Sequence, residues 1–208
     1  MSRIPSPDLC STHEALEYDH ETLEYEESEL WGIDITMGKQ IIPLRPITLI
    51  YGLNGAGKTR LLKDILEHPD VLSYARNCVT FSPCSRTIRE KCLELWGILL
   101  AFEHPECLLH PKAQLEMGDL FVTAANNGNI VLAETHSECI LLRIKRRIRR
   151  KELNSDDVTI IYIENGRYIH LQMDSAGDFI NRWPGGFFEE GFNEVFDMEE
   201  IPLMPKVV

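Results

Sequence analysis

From about residue 30 onward, the spacing of apolar side chains along the chain marks out alternating strands and helices. Trp31 to Thr36 and Gln40 to Leu44 read as two short strands around the turn Met37-Gly38-Lys39. Ile47-Thr48-Leu49-Ile50-Tyr51 is a β-branched strand that runs straight into a glycine-rich stretch. Leu61, Leu62, Ile65 and Leu66 then fall at helical spacing, and Pro69 comes soon after that helix should end. Cys78-Val79-Thr80-Phe81 predicts a further short strand, and Thr87 to Leu93 a helix. Gly97 to Phe102 is apolar without alternation, the pattern of a strand covered on both faces within a parallel sheet.

A long helix is expected from Pro111, a residue suited to the first helical turn. Ala113, Met117, Leu120, Phe121 and Ala124 form its apolar stripe, and Asn127-Gly128 ends it. Ile130-Val131-Leu132-Ala133 is another buried strand, followed by a helix from about Ser137 to Lys151 with Leu141, Ile144 and Ile148 facing inward. Val158 to Ile163 and Tyr168 to Leu171 pair as a hairpin across Glu164-Asn165-Gly166. Strands alternating with helices predict an α/β fold, a mostly parallel sheet flanked by helices.

Composition narrows the picture. At 208 residues and 44% hydrophobic, the chain can bury one core, so a single compact domain is expected over 30–183. An acidic arm, 1–29, would precede it, and a Phe-rich acidic tail, 184–208, would follow and pack on the core or on a partner. Asp8, Glu14, Glu17, Asp19, Glu21, Glu24, Glu26, Glu27 and Glu29 face only Arg3 in the arm. Such a segment is either a solvated arm or an element that orders against a basic partner surface. The formal net charge of −12 argues against indiscriminate nucleic-acid binding. Cys10, Cys78, Cys84, Cys92, Cys107 and Cys139 are scattered without zinc spacing, as reduced thiols would be. No apolar run approaches the roughly 18–20 residues that span a bilayer, and the N-terminus lacks an apolar h-region, so a cytoplasmic protein is expected.

Candidate chemistry begins at Gly52-Leu53-Asn54-Gly55-Ala56-Gly57-Lys58-Thr59, a complete G-x-x-x-x-G-K-[ST] pattern between a predicted strand and a predicted helix. Gly52, Gly55 and Gly57 let backbone amides converge on a phosphate, with Asn54, Ala56 and Arg60 completing the stretch that would surround it. The helix starting there adds its positive N-terminal end. Lys58 would reach the β/γ-phosphates and Thr59 would offer a hydroxyl to Mg²⁺. The expected ligands are therefore ATP and Mg²⁺. A P-loop also needs an acid at the end of a neighbouring strand to hold the Mg²⁺ water shell. The strand 97–102 ends in Glu103, which makes Glu103 and Thr59 the candidate metal pair.

Beyond Glu103 comes His104-Pro105-Glu106-Cys107-Leu108-Leu109-His110-Pro111-Lys112-Ala113-Gln114, and the next strand runs into Glu134-Thr135-His136-Ser137-Glu138. Together these motifs resemble the ABC-type ATPases of the OLD/RecF-like group, closest to a stand-alone branch found in prokaryotic gene clusters. That branch ends in a W-P-x-G-F-F-x-E segment, matched here by Trp183-Pro184-Gly185-Gly186-Phe187-Phe188-Glu189-Glu190. The resemblance spans roughly 41–66 and 97–192. It implies an ABC-ATPase-like core in which Glu103 is the Walker B acid and His136 the switch histidine that senses the γ-phosphate. It also implies that Glu106 lies in a loop facing a partner subunit, and that the setting is a DNA-handling or anti-phage system.

Three departures qualify what the resemblance implies. The residue after the Walker B acid is often a water-polarising Glu, and here it is His104, either a base near neutral pH or the mark of a slow site. Only 45 positions separate Lys58 from Glu103, with no Gln between Gln40 and Gln114 and no LSGGQ-like signature, so the helical lobe of relatives is missing. A homodimer would have no signature to offer. Two readings follow: an ATPase completed by a partner ATPase or effector, or a nucleotide-gated regulatory subunit with little hydrolysis.

Arg143, Arg146, Arg147 and Arg150 fall at i, i+3, i+4 and i+7 on one helix face, with Lys145, Arg149 and Lys151 adding charge. This basic stripe fits a phosphate backbone, an acidic protein segment (the chain's own arm included) or plain solvated surface. The carboxylates Glu189, Glu190, Glu194, Asp197, Glu199 and Glu200 read as surface charge rather than a nuclease centre. Phe187, Phe188, Phe192 and Phe196 read as packing residues.

Overall fold

The computed structural model describes residues 32–74, 78–81, 97–181 and 183–184. The expected arm, the helix over Thr87 to Leu93 and all of the tail beyond Pro184 lie outside these residues.

β1 (Ile33–Met37) and β2 (Gln40–Leu44) form an antiparallel hairpin, in register from Ile33 opposite Leu44 to Met37 opposite Gln40. The main sheet contains β3 (Ile47–Gly52), β4 (Cys78–Phe81), β5 (Leu99–Glu103), β6 (Ile130–Glu134), β7 (Val158–Glu164) and β8 (Arg167–Leu171). Their spatial order is β4-β5-β6-β3-β7-β8, with every neighbouring pair parallel except β7 and β8, which form the expected hairpin. The helices are α1 (Lys58–Leu66), α2 (Pro69–Tyr74), α3 (Pro111–Asn126) and α4 (Glu138–Arg149). The molecule is thus the anticipated α/β structure. One helix was not anticipated: Pro69, read as punctuation after α1, opens α2, because a proline fits a first helical turn as well as it blocks a last one.

Alternation along β3 divides the core into two layers. Ile47, Leu49 and Tyr51 point to one face, where Phe121, Ile140, Ile144 and Ile148 of α3 and α4 cover them. Ile50 points to the other, against Leu61, Leu62 and Ile65 of α1 and Ile35 and Ile42 of the hairpin. Each fully buried Ile or Leu adds roughly 1.5–3 kcal/mol of hydrophobic stabilisation, so a strand covered on both faces is held firmly. α3 and α4 cross closely at Gly118, where a Cβ would lie 2.8 Å from Arg143 Cβ and 3.0 Å from the Ile140 carbonyl oxygen.

After β8 the chain makes a small bridge between Met173 and Phe179 and returns to the sheet. Trp183, 8% exposed, packs edge-on against Tyr51, Tyr162 and Phe179 with ring centroids 4.9–5.9 Å apart. The first residue of the W-P-x-G-F-F segment therefore sits against the strand that feeds the glycine loop.

Candidate functional site

β6 lies between β3 and β5, so the glycine loop, Glu134 and Glu103 all emerge at the C-terminal ends of three adjacent parallel strands. β3 is also flanked by β7, and its two sides lead to opposite halves of the sheet. Open α/β sheets bind ligands at such a switch point.

The loop departs from β3 at Gly52, whose φ is 150° and where a Cβ would meet the Ile163 carbonyl oxygen at 2.9 Å. Only glycine passes there without displacing β7. Asn54, Gly55, Ala56 and Gly57 then turn the chain, with the Ala56 amide donating to the Leu53 carbonyl at 3.1 Å. α1 begins at Lys58, and Gly57 before it makes no side-chain cap, so the first-turn amides of α1 have no side chain over them from that residue. The Lys58 ammonium is folded inward and donates to the carbonyls of Gly52 at 3.0 Å and Leu53 at 3.1 Å. Burial lowers its pKa, an effect that Glu134 and Glu106 oppose. Arg60 extends outward toward Asp64, one turn along the helix, at 3.7 Å.

Thr59 donates its hydroxyl to Glu134 Oε1 at 2.9 Å. Glu134 is fully buried and its second oxygen, Oε2, has no hydrogen-bond partner. Burial pushes this carboxyl above its ordinary range and the adjacent Glu103 adds to the shift, while Thr59, His104 and Lys58 pull it back. Glu103 is the β5 residue in register with Glu134, and its side chain is exposed. The expected pair of Thr59 and Glu103 is therefore not joined by a hydrogen bond; Thr59 is bonded to Glu134.

His104 follows Glu103 with φ of 47°, a left-handed conformation uncommon for a residue with a Cβ. Its backbone amide donates to the Glu134 carbonyl at 3.1 Å, and its ring lies 3.4 Å from Glu134 Oε1 and 3.6 Å from Glu106 Oε1. The ring stacks on His136, with centroids 5.5 Å apart. Burial, followed by Lys58 and His104, lowers the His136 pKa, and Glu106 partly offsets this.

Glu106 accepts from the Thr135 hydroxyl at 2.6 Å and the His136 amide at 2.8 Å, so it braces the turn after β6. Gln114 bonds the Leu109 carbonyl and the Ser137 hydroxyl, while Ser137 caps α4 at Ile140. Of the three candidate catalytic residues, His104 and His136 are therefore stacked together beside Glu134, and Glu103 stands next to Glu134 at the exposed end of β5. The residue missed as a functional candidate is Glu134. Its signal was present in the Glu134-Thr135-His136 run, but nothing in one dimension pairs it with Thr59.

The basic stripe divides. Arg143 and Arg147 both grip Asp119 of α3, at 2.6 and 2.7 Å, and Arg147 also pairs with Glu152. Arg146, Arg150 and Lys151 are exposed, and Arg149 reaches Asp178 only at 4.0 Å. Half of the expected stripe is therefore an internal clamp between α3 and α4.

Among the described residues no helix is long and apolar enough to cross a membrane. No family model matches the chain and no curated protein matches it. A solved structure of an ABC transporter's ATP-binding cassette in its ADP conformation is similar over 80% of this chain and 96% of its own, with 12% identity and a TM-score of 0.44. At that level the likeness carries no functional argument.

Proposed function

We propose that this chain binds ATP together with Mg²⁺ at loop 52–59 and works as an ABC-type ATPase subunit. The observation that carries the reading is the loop itself, where a buried strand, a glycine turn and an uncapped helix start converge around the ammonium of Lys58. The residues suit the ligand. Lys58 gives up two neutral carbonyls for phosphoryl oxygens, the α1 amides face an anion, and the Thr59 hydroxyl stands beside a buried carboxylate with a spare oxygen. Bound Mg²⁺ would neutralise charge on the β/γ-phosphates. His104, stacked on His136 and 3.4 Å from Glu134 Oε1, would be the base that takes a proton from water in this reading.

The wider setting, a prokaryotic DNA-handling or anti-phage complex, rests on the resemblance of the 103–114 and 134–138 motifs to the OLD/RecF-like group. A homo-oligomer or a partner ATPase or effector would complete the site there, with exposed Arg146 and Arg150 as a docking point for nucleic acid or an acidic segment. One observation favours a second reading, a nucleotide-gated regulatory subunit with little turnover: a histidine stands at position 104, where the resembled ATPases often have a glutamate.

The test is fluorescent-ATP affinity and phosphate release on one sample of wild type and Lys58→Ala with Mg²⁺, with a melting curve for each. Binding and release that both need Lys58 support the ATPase. Binding without release supports the regulatory subunit. No binding by a folded wild type overturns both.

A further inference from the structure

We propose that Glu134, at the end of β6, is the carboxylate that works with Thr59 on the Mg²⁺ ion of the nucleotide, in place of Glu103. The inference rests on the nucleotide-binding reading above and assigns its cation.

Glu134 Oε1 already holds the Thr59 hydroxyl at 2.9 Å, so the two oxygens that would share a cation are adjacent before it arrives. Oε2 is buried without any hydrogen-bond partner. A buried carboxylate oxygen left unsatisfied is costly, and proteins keep such groups where a ligand completes them. Thr59 contributes a hydroxyl and the neighbouring groups are imidazole and ammonium, so among the described residues the anionic oxygen at hydrogen-bonding distance from Thr59 is that of Glu134. Among the described residues no cluster of three or more His, Cys, Asp or Glu side chains forms a cage for a metal. That is the expected condition for Mg²⁺, which is held by one or two protein oxygens, phosphate and water rather than by an all-protein shell.

Of the two acids, Glu134 stands on the strand next to the one that feeds the loop. β6 separates β5 from β3, so Glu103 sits two strand spacings, about 10 Å, from the strand that feeds the loop, and Glu134 only one, about 5 Å. Glu103 is exposed besides, where water already solvates its charge. Its role is to add negative field from the next strand. His104, 3.4 Å from Glu134 Oε1, also holds this carboxylate.

The experiment compares full-length wild type, Glu134→Gln and Glu103→Gln. Affinity for a fluorescent ATP analogue is titrated with Mg²⁺ and again with EDTA, and Mn²⁺ binding in the presence of nucleotide is followed by electron paramagnetic resonance. Wild type should gain affinity on adding Mg²⁺, and Glu134→Gln should lose most of that gain. Its nucleotide-dependent Mn²⁺ affinity should fall roughly ten- to hundredfold, and a cooperative melting curve no lower than that of wild type shows that the variant is folded. Glu103→Gln should keep most of the gain. A Glu134→Gln protein that retains the full Mg²⁺ effect overturns the assignment, including the case where it loses only turnover, which would make Glu134 a base instead. Loss of the effect in Glu103→Gln alone likewise overturns it. If wild type binds no nucleotide in either buffer, the nucleotide-binding reading falls, and this assignment with it.

Discussion

The imidazoles of His104 and His136 lie face to face, 5.5 Å between centroids and 5° from parallel, although 32 positions separate them in the chain. The second ring and the nearby Lys58 ammonium both act on His136. For His136 the lowered pKa follows from burial first and from those two neighbours second.

The sign of the pH dependence follows. A histidine whose native pKa lies below its ordinary 6.5 binds fewer protons folded than unfolded. Its contribution is neutral above about pH 6.5 and destabilises the fold as pH falls through the window between that value and the native one. The urea midpoint of the nucleotide-free protein should therefore drop more steeply below pH 6.5 in wild type than in His136→Asn. His170, also lowered by burial, acts in the same direction in both proteins, so the difference between them isolates His136. Parallel curves would remove His136 from this role.

Glu134 has the opposite sign. Its native pKa is raised above 4.5, so its charge costs stability once pH climbs through that window, and the cost persists at neutral pH. Without nucleotide, Glu134→Gln should be more stable than wild type at neutral pH, because the amide still accepts from Thr59 while the buried charge is gone. Denaturant unfolding checks this, and a destabilised variant would contradict it.

How far the sequence could be read depends on the length scale of each feature. The β3 strand, its glycine loop and α1 were legible because a β-branched run, three glycines and an apolar helical stripe follow one another within 20 positions, from Ile47 to Leu66. The β7–β8 hairpin was legible from Asn165-Gly166. Strand order was not. Nothing local says that β6, made last of the three, inserts between β3 and β5, and that insertion is what brings Glu134 rather than Glu103 to Thr59. The four arginines of α4 were visible as a stripe, but their partner Asp119 belongs to another helix, so clamp and free surface looked alike.

That distinction is measurable. Asp119→Ala leaves Arg143 and Arg147, both mostly shielded, without their shared carboxylate, and should cost roughly 1–3 kcal/mol. Arg146→Ala and Arg150→Ala, on exposed side chains, should stay within about 0.5 kcal/mol of wild type. Equal effects at all three positions would mean that the clamp contributes little.

Gly52→Ala should be the most damaging change in the loop. It places a Cβ against the Ile163 carbonyl at 2.9 Å and fixes a backbone conformation that side chains avoid. A loss of more than about 1 kcal/mol in thermal unfolding is expected, and a neutral result would show that β3 and β7 can part there freely.

Trp183→Ala should cost roughly 3–5 kcal/mol, the usual range for emptying an aromatic site in a core. Its ring meets Tyr51, the residue just before Gly52, so fluorescence of the same tryptophan should change when nucleotide is added to wild type.

The inward fold of Lys58 carries a consequence for selectivity. Its ammonium is already coordinated by two peptide oxygens of its own loop, so a visiting molecule must outcompete dipoles with full negative charge. A nucleoside offers nothing to exchange, and a monophosphate reaches less deeply than a longer chain of phosphates. In the proposed nucleotide binding, discrimination would be made at the anionic end of the visitor by Lys58 together with the α1 amides, leaving the purine or pyrimidine to be chosen, if it is chosen, by another part of the molecule.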